Sequence, residues 1–337
     1  MLIDPPKILH ADDIGRREDD SDHKMAQFIS NMPADTLIEF ENHGECGLGP
    51  ETCLAFSRHS KSLTNLALAL PDKGINGLGL LQSCTNIEKL KLTDIHPPHN
   101  IKETMQDTFL DVVNWLKNCK RLRSIDLTNF VSAPDILTEF LEENEDQLEE
   151  LQISGRDDSM YILRDYDRFH LSIGKQGNLR SLFLKAEPEP LNPPARDLLV
   201  AQICKLKSLR DLNLTNTSAW FQDQNVIALA RHLPLLEEFI ITGWSLGDAS
   251  LDQLSSLHGL KNVSISGSSS CTLNGLLHFI SNLGPSNQGL SLSIDFADFV
   301  SALTSEEQDI VRDALMDKVQ GRFEYQMGRG ESLRFSC

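Results

Sequence analysis

The stretch that decides the fold is CKRLRSIDL, residues 119–127, and a second version of it, CTNIEKLKL, stands at residues 84–92. Both versions place an apolar residue at a first position, another three residues later and a third two residues after that. In the first stretch these are Leu122, Ile125 and Leu127. The last two are separated by one residue, so their side chains share one face of a short strand. The pattern predicts a strand with one buried face at each copy.

The same apolar triplet recurs along most of the chain. Successive copies begin 24 to 35 residues apart, and shorter versions stand at residues 37–40 and 290–294. A regular return at this interval is typical of a repeat protein, in which each unit adds one strand to a growing sheet. The triplets are Leu63-Leu66-Leu68, Ile87-Leu90-Leu92, Leu122-Ile125-Leu127, Leu148-Leu151-Ile153, Leu179-Leu182-Leu184, Leu209-Leu212-Leu214, Leu236-Phe239-Ile241 and Leu260-Val263-Ile265.

The segments between the triplets have helical periodicity. Residues 108–116, 225–233 and 276–280 carry apolar residues at helical spacing, and residues 134–141 open on a proline, which suits a first helical turn. One strand and one helix per unit predict an α/β solenoid. We expect a curved horseshoe with a parallel β-sheet on the concave face and helices on the convex face.

Composition and charge limit the classes of partner. The net charge is −18, from 31 Lys and Arg against 49 Asp and Glu, which disfavours binding to phosphate backbones and to anionic lipid. Residues 1–20 lack the apolar core of a signal peptide, and apolar runs such as residues 198–201 are too short to cross a bilayer. We therefore expect a cytoplasmic or nuclear protein with no nucleic-acid and no membrane partner.

The seven cysteines are dispersed, and no two have the CxxC spacing. Cys84 and Cys119 each stand three residues before a triplet, and Cys204 stands five before one. We expect them to be reduced thiols that pack where a helix turns into the next strand. His96 and His99 lie close together in sequence, but no further ligand is identifiable beside them. We expect no metal site and no cofactor.

The ends of the chain differ from its centre. We predict an acidic, flexible segment at residues 1–23, a repeat domain at 24–300, and a C-terminal capping helix and tail at 301–337. Residues 305–316 have the acidic first turn and apolar spacing of a capped amphipathic helix. Residues 24–31 have the apolar spacing of a return helix in an incomplete first repeat.

The stretches at 84–92 and 119–127 resemble the leucine-rich repeats of F-box proteins, particularly the divergent fungal ones. The resemblance covers roughly residues 36–296 and implies a horseshoe that recognises the substrates of a ubiquitin ligase. An F-box should precede such repeats, but residues 1–35 offer only Pro5-Pro6 and Ile8-Leu9 before a charged run. A ubiquitin-ligase adaptor is therefore an expected partner only if an F-box is supplied elsewhere.

The turn position three residues after each triplet departs from the family pattern. Where the family carries Asn or Cys, this chain has Pro71, Ile95, Phe130, Arg156, Glu187, Thr217, Trp244 and Ser268. No regular asparagine ladder can form, so we expect the turns to be satisfied differently from repeat to repeat.

The candidate binding residues lie between the strand leucines, where side chains face the concave, solvent side. We expect a protein partner to bind there, with Phe183 and Ile240 as apolar anchors and Trp244 close by. Trp220 and Trp244 are alternatively explained as half-buried loop residues. Residues 156–169, with Tyr161 and Tyr166 among alternating charges, are a second candidate for binding and are alternatively explained as a return helix with a solvated face. The predicted partner-binding set is Lys89, Lys91, Asp126, Gln152, Phe183, Lys185, Asp211, Asn213, Glu238, Ile240 and Trp244.

No sequence motif for catalysis is present. The chain has no P-loop, no Gly-x-Ser-x-Gly and no His-Glu-x-x-His, so we expect no enzyme and no catalytic residue. The leading hypothesis is a non-catalytic scaffold, of the substrate-recognition type that the F-box resemblance implies. The alternatives are a regulator of an enzyme, similar to GTPase activators or ribonuclease inhibitors with this fold, and a truncated gene product.

Overall fold

The computed structural model describes residues 8–10, 21–42, 48–96, 99–156, 160–187, 193–297 and 302–327. The chain forms two compact units, one containing the described residues up to Tyr161 and the other those from Ile162 onward. Each unit is a parallel sheet with its helices on the connecting segments.

The strands of unit 1 follow one another in the sheet in chain order, and every described pair is parallel. They are β1 (Ile8–His10), β2 (Glu39–Glu41), β3 (Asn65–Leu70), β4 (Lys89–Asp94), β5 (Ser124–Thr128) and β6 (Glu150–Ser154). Strand β7 (Tyr161–Ile162) is a separate two-residue strand.

Unit 2 repeats the arrangement with a parallel sheet in the order β8, β10, β11, β12, β13, β14. Its strands are β8 (Ser181–Leu184), β9 (Ala186–Glu187), β10 (Asp211–Leu214), β11 (Glu238–Leu246), β12 (Asn262–Ser269), β13 (Ser291–Ala297) and β14 (Arg322–Met327). Strand β9 has two residues and lies outside this sheet.

A helical segment follows most strands. The α-helices are α1 (Ser21–Asn31), α2 (Pro50–Ala55), α3 (Asp72–Gly77), α4 (Ile101–Thr104), α5 (Gln106–Asn118), α6 (Ala133–Glu143), α7 (Asp167–Ile173), α8 (Pro193–Ile203), α9 (Asp223–His232), α10 (Asp248–Leu254), α11 (Leu273–Asn282) and α12 (Ser305–Val319). Short 3₁₀ segments lie at 56–59, 78–81, 163–165 and 285–287. No helix in these ranges is long and apolar enough to cross a membrane.

The triplets form the strand side of the core. Every residue of the eight full copies is at most 4% exposed, and so are the shorter versions at Leu37, Phe40, Leu290, Leu292 and Ile294. Each buried Leu or Ile contributes about 1.5–3 kcal/mol relative to an exposed one. Because neighbouring triplets are in register, each new repeat extends the core. The predicted α/β solenoid is confirmed.

The predicted return helices are present as α5, α6, α9 and α11, each starting one to three residues earlier than predicted. The prediction of a return helix over residues 156–169 is wrong. Helix α7 starts only at Asp167, because Tyr166 has φ −127° and ψ 40°, which no helix interior adopts. Tyr161 lies in β7 and is 2% exposed, so it belongs to the core rather than to a solvated face.

Near the two ends of the chain, the structure shows longer helices than the sequence predicted and one further strand. Helix α1 begins at Ser21, before residue 24, and α12 extends beyond the predicted 305–316 to Val319. After α12 the chain forms β14, which pairs in parallel with β13 and so adds one more strand to the sheet. The domain boundaries at residues 23 and 300 stay predictions.

Aspartates at the start of one helix bind the start of the next. Asp22 in α1 accepts hydrogen bonds from the backbone N–H groups of Gly49 and Thr52, both at 2.9 Å. Asp223 in α9 accepts from Gly247 N at 2.9 Å, at the start of α10. Helix starts leave N–H groups without intrahelical partners and carry a partial positive charge, so carboxylates stabilise them. Part of the large acidic content therefore holds neighbouring repeats together.

The turns between repeats are satisfied by different side chains, as expected from the missing asparagine series. Asn129 donates from Nδ2 to the Asp94 carbonyl at 2.9 Å and accepts from Arg156 N at 3.0 Å. Thr217 makes the equivalent link in unit 2, accepting from Ala186 N at 2.8 Å and donating to a strand carbonyl. These links bind consecutive turns without a common residue type.

Candidate protein-binding surface

Strand alternation sets the candidate surface of unit 2. In β10 and β11 the triplet residues point into the core and the intervening side chains face solvent. Phe183 pairs with Asn213, and Asn213 pairs with Ile240, so the three form one row across β8, β10 and β11. All three are half-buried. The structure therefore brings the two predicted anchors into one row with a single polar residue between them.

A second row lies two residues earlier on the same strands. Asp211 and Glu238 are register partners on β10 and β11, both half-buried. Asn262 on β12 donates from Nδ2 to Glu238 Oε2 at 3.4 Å. Lys185 follows β8 and is also half-buried. The predicted residues of unit 2 therefore form a polar border around the Phe183–Ile240 row.

The four remaining predicted residues form a separate group in unit 1. Lys91 pairs with Asp126 and Asp126 with Gln152, across β4, β5 and β6. Lys91 Nζ lies 3.1 Å from Asp126 Oδ2, with the Lys side chain 49% exposed. Lys89 is exposed beside Ser124. This group has no apolar anchor, and surface ion pairs of this kind contribute about 0–1 kcal/mol.

Trp244 does not lie in a loop, which corrects the sequence analysis. Strand β11 runs on to Leu246, so Trp244 stands in the strand, on the same face as Ile240 and Thr242. Its side chain is 41% exposed. Trp220 packs against it with ring centroids 4.9 Å apart and an interplanar angle of 34°. The alternative of half-buried loop packing therefore holds for the half-buried Trp220, whereas Trp244 is presented to solvent.

Backbone contacts hold the two tryptophans in place. Trp244 N donates to the Phe221 carbonyl at 2.8 Å, and Phe221 forms a parallel bridge to Gly243. Arg196 donates from its guanidinium to the Trp220 carbonyl at 3.1 Å. The segments that carry the two rings are thus joined to each other and to helix α8. We refer to the two rings as the Trp220–Trp244 pair.

A β-bulge follows Trp244. The register of β11 against β12 shifts between Trp244 and Leu246, and Ser245 has φ +61°. Gly243 makes room for the buried Leu246, whose Cδ1 would lie 2.2 Å from a Cβ at residue 243. Bulges re-aim side chains at the ends of sheets. The glycine and the bulge bring Leu246 back into the core while Trp244 stays outside.

Of three comparisons with known proteins, the one with solved structures finds chains of similar fold. No family model matches the chain, and no curated protein matches it. A chain in the crystal structure of the Rad7 and Elc1 complex in yeast is similar, with a TM-score of 0.52, 15% identity, and coverage of 88% of this chain and 76% of that one. The fold is that of a leucine-rich-repeat protein. The leucine-rich repeat-containing protein LegL7 from Legionella pneumophila matches with a TM-score of 0.48, 13% identity, and coverage of 93% and 97%.

The leucine-rich repeats bring together a polar cluster in unit 1 that the sequence analysis missed in part. His99 Nδ1 lies 2.7 Å from Oδ2 of the fully buried Asp94, and His96 Nδ1 lies 3.2 Å from Asp72 Oδ1. Asp72 opens α3 and Asp94 ends β4, one repeat later, so no short sequence motif contains all four groups. Within the described ranges no group of three or more His, Cys, Asp or Glu side chains is placed to hold a metal ion.

Two cysteines of the leucine-rich repeats, Cys84 and Cys119, pack in the interior as predicted and are at most 1% exposed. The Trp115 indole donates to the Cys84 carbonyl at 2.9 Å, at the corner between helix and strand. Burial raises the pKa of the Cys84 thiol to about 11 and that of the Cys119 thiol to about 12. Cys204 is half-buried and also a free thiol. These thiols fill space and are poor nucleophiles at neutral pH.

Proposed function

We propose that this protein is a non-catalytic scaffold that binds another protein through the solvent-facing side of strands β8, β10 and β11 in unit 2. One observation carries the proposal. Two apolar side chains, Phe183 and Ile240, stand in one row on that face, although solvent-facing strand positions elsewhere in the repeats are mostly polar. Trp244 continues the same face of β11 toward its end.

The chemistry of this row suits a protein partner. Binding hot spots combine apolar or aromatic anchors with a polar border that excludes water once the partner is bound. Asp211, Asn213 and Glu238 supply such a border beside the two anchors. Regular strands hold all of these positions, so binding would require little ordering of the surface.

We propose more specifically that the bound protein is the substrate of a ubiquitin ligase and that the chain works in the cytoplasm or nucleus. The resemblance of residues 84–92 and 119–127 to F-box repeat proteins supports this role. The crystal structure with a similar fold contains Rad7 in a complex with Elc1. Joining a ligase would require an adaptor-binding segment, so adaptor binding is the part to be tested directly.

Affinity purification from extract of the source cells tests both levels. The baits are the wild-type chain, the Phe183→Asp/Ile240→Asp double variant, and Leu171→Asp as the matched control. Leu171 is 46% exposed in unit 2 but lies on helix α7. Far-UV circular dichroism and urea unfolding establish that each bait is folded.

We expect a partner that wild type and Leu171→Asp retain and the double variant loses. Recovery of a ubiquitin-ligase adaptor with all three baits would support the ligase role, because adaptor binding should not involve the sheet face. If the folded double variant recovers the same proteins as wild type, the binding site does not lie on this face. Absence of an adaptor from every bait would count against the ligase role alone.

A further inference from the structure

The Trp220–Trp244 pair lies beside, but is distinct from, the Phe183–Ile240 row. Trp244 is one of the large apolar side chains that the described structure leaves exposed, at 41%. The bridge from Phe221 to Gly243 holds its backbone, and packing on Trp220 holds its ring. An exposed indole that is fixed in place offers a flat π-surface at little entropic cost. The bulge after Trp244 keeps it on the solvent side of β11.

The surroundings of the pair carry a net negative charge. Residues 216–224, 243–248 and 266–272 carry or flank the two rings, and their charged residues are Asp223 and Asp248. The turn after β8 also contacts the segment of Trp220, since Thr217 accepts from Ala186 N, and it adds one charge of each sign at Lys185 and Glu187. Asp223 is three residues after Trp220, within about 11 Å of chain, and Asp248 is four after Trp244, within about 14 Å. Both carboxylates are held at helix starts, Asp223 by Gly247 N at 2.9 Å and Asp248 by Thr272 N at 2.8 Å.

Arg196 contacts the pair but does not offset this net charge. Arg196 points its guanidinium at the Trp220 carbonyl, but it also pairs with Asp197 at 3.2 Å, and only 14% of its side chain is exposed. A rigid indole face in surroundings of net negative charge attracts cations, and a guanidinium stacks on an indole better than an ammonium does.

We propose that the Trp220–Trp244 pair is the docking site for an arginine side chain in a basic segment of the partner protein. The inference rests on the proposed function, because the partner is the protein held by the Phe183–Ile240 row. From Ile240 to Trp244 is four residues of strand, about 13 Å. An extended partner segment would cover that distance with about four residues, so one segment can place an apolar side chain on the row and an arginine on the pair.

The test uses the full chain and a synthetic peptide of alternating glycine and arginine with four arginines. The indole N–H signals of the three tryptophans are followed by two-dimensional NMR during titration. Trp115 is an internal reference, since it is 0% exposed and donates to the Cys84 carbonyl. Peptides of the same length with glutamine or lysine in place of arginine separate stacking from general charge.

We expect the signals of Trp220 and Trp244 to move while that of Trp115 stays, with the lysine peptide weaker and the glutamine peptide inactive. Trp244→Leu should raise the dissociation constant of the arginine peptide about three- to tenfold. The matched control Leu171→Ala, on helix α7, should leave it unchanged. Trp244→Phe keeps an aromatic face and should lie between wild type and Trp244→Leu, provided that circular dichroism shows all variants folded.

Equal affinity of wild type and Trp244→Leu would overturn the inference, since binding would then reflect only the net negative charge. An equal response to the glutamine peptide would also overturn it, because the site would then not select for a cation. Neither result affects the affinity purification, which depends on Phe183 and Ile240. Loss of the partner from the Phe183→Asp/Ile240→Asp bait together with a failed peptide titration would leave the scaffold standing and remove the arginine site.

Discussion

Replacing Gly267 by alanine should destabilise unit 2 more than an alanine substitution of a solvent-facing strand residue. Gly267 lies in β12 opposite its register partner Gly243 in β11. Its φ is +91°, and a Cβ built there would lie 2.4 Å from the Gly243 carbonyl oxygen. That oxygen is backbone inside a sheet, so it cannot rotate away as a side chain could.

The expected magnitude has two parts. Placing a non-glycine residue at positive φ costs about 1–2 kcal/mol, and alanine returns about 0.4–1 kcal/mol by restricting the unfolded chain. The 2.4 Å contact is about 1 Å shorter than an optimal contact of 3.5 Å or more. Forcing the strands apart by that distance costs about 1–3 kcal/mol. The two costs minus the gain give a loss of about 1–4.5 kcal/mol, and about 3 kcal/mol at mid-range.

Gly289→Ala is the matched control because it changes only the first part. Gly289 has φ +80°, but nothing lies within 4 Å of a Cβ built there. Its expected cost is therefore about 1 kcal/mol or less. Any difference between the two variants reports the close approach of β11 and β12 rather than the backbone conformation.

The assay is urea unfolding of wild type and both variants, followed by far-UV circular dichroism at one temperature. The midpoint of Gly267→Ala should fall well below that of Gly289→Ala, with similar slopes. If the two variants have the same midpoint, the approach of Gly267 to Gly243 is not a rigid feature of the sheet.

Three further outcomes are expected. Thr304→Ala should lower the free energy of unfolding by about 1 kcal/mol and Tm by about 2–4 °C in calorimetry. The reason is the cap of α12, where Thr304 Oγ1 accepts from Glu307 N at 3.2 Å and Glu307 Oε2 accepts from Thr304 N at 2.8 Å. Burial lowers the pKa of His170 from 6.5 to about 4, so the contribution of its neutral imidazole to the free energy of unfolding is present above pH 6.5 and is lost as pH falls toward 4. In urea unfolding, the free energy of unfolding of wild type should therefore fall by about 2 kcal/mol more than that of His170→Gln between about pH 7 and pH 5. Alkylation at pH 8 with mass spectrometry should modify the half-buried Cys204 before Cys84, whose pKa burial raises to about 11.

The pairing of the tryptophans shows where sequence reasoning stopped. Trp220 and Trp244 are 24 residues apart, in consecutive repeats, which was visible in the sequence. Their contact depends on the bulge at Ser245 and on the bridge from Phe221 to Gly243, and neither follows from an apolar period. Gly243 directly before Trp244 was the one local signal, since glycine inside a strand often marks a bulge or a close approach.

The sequence by itself determined the repeat, the strand positions, most of the return helices and the residues that face the core. The physical reason is that each repeat adds a strand through the same short pattern, and every triplet side chain must leave water. Only the tertiary structure decided which solvent-facing residues meet. Phe183 lies in one row with Ile240 through β10, Lys91 pairs with Asp126, and Trp244 packs on Trp220, because register and turn geometry place residues that lie 24 to 57 positions apart side by side.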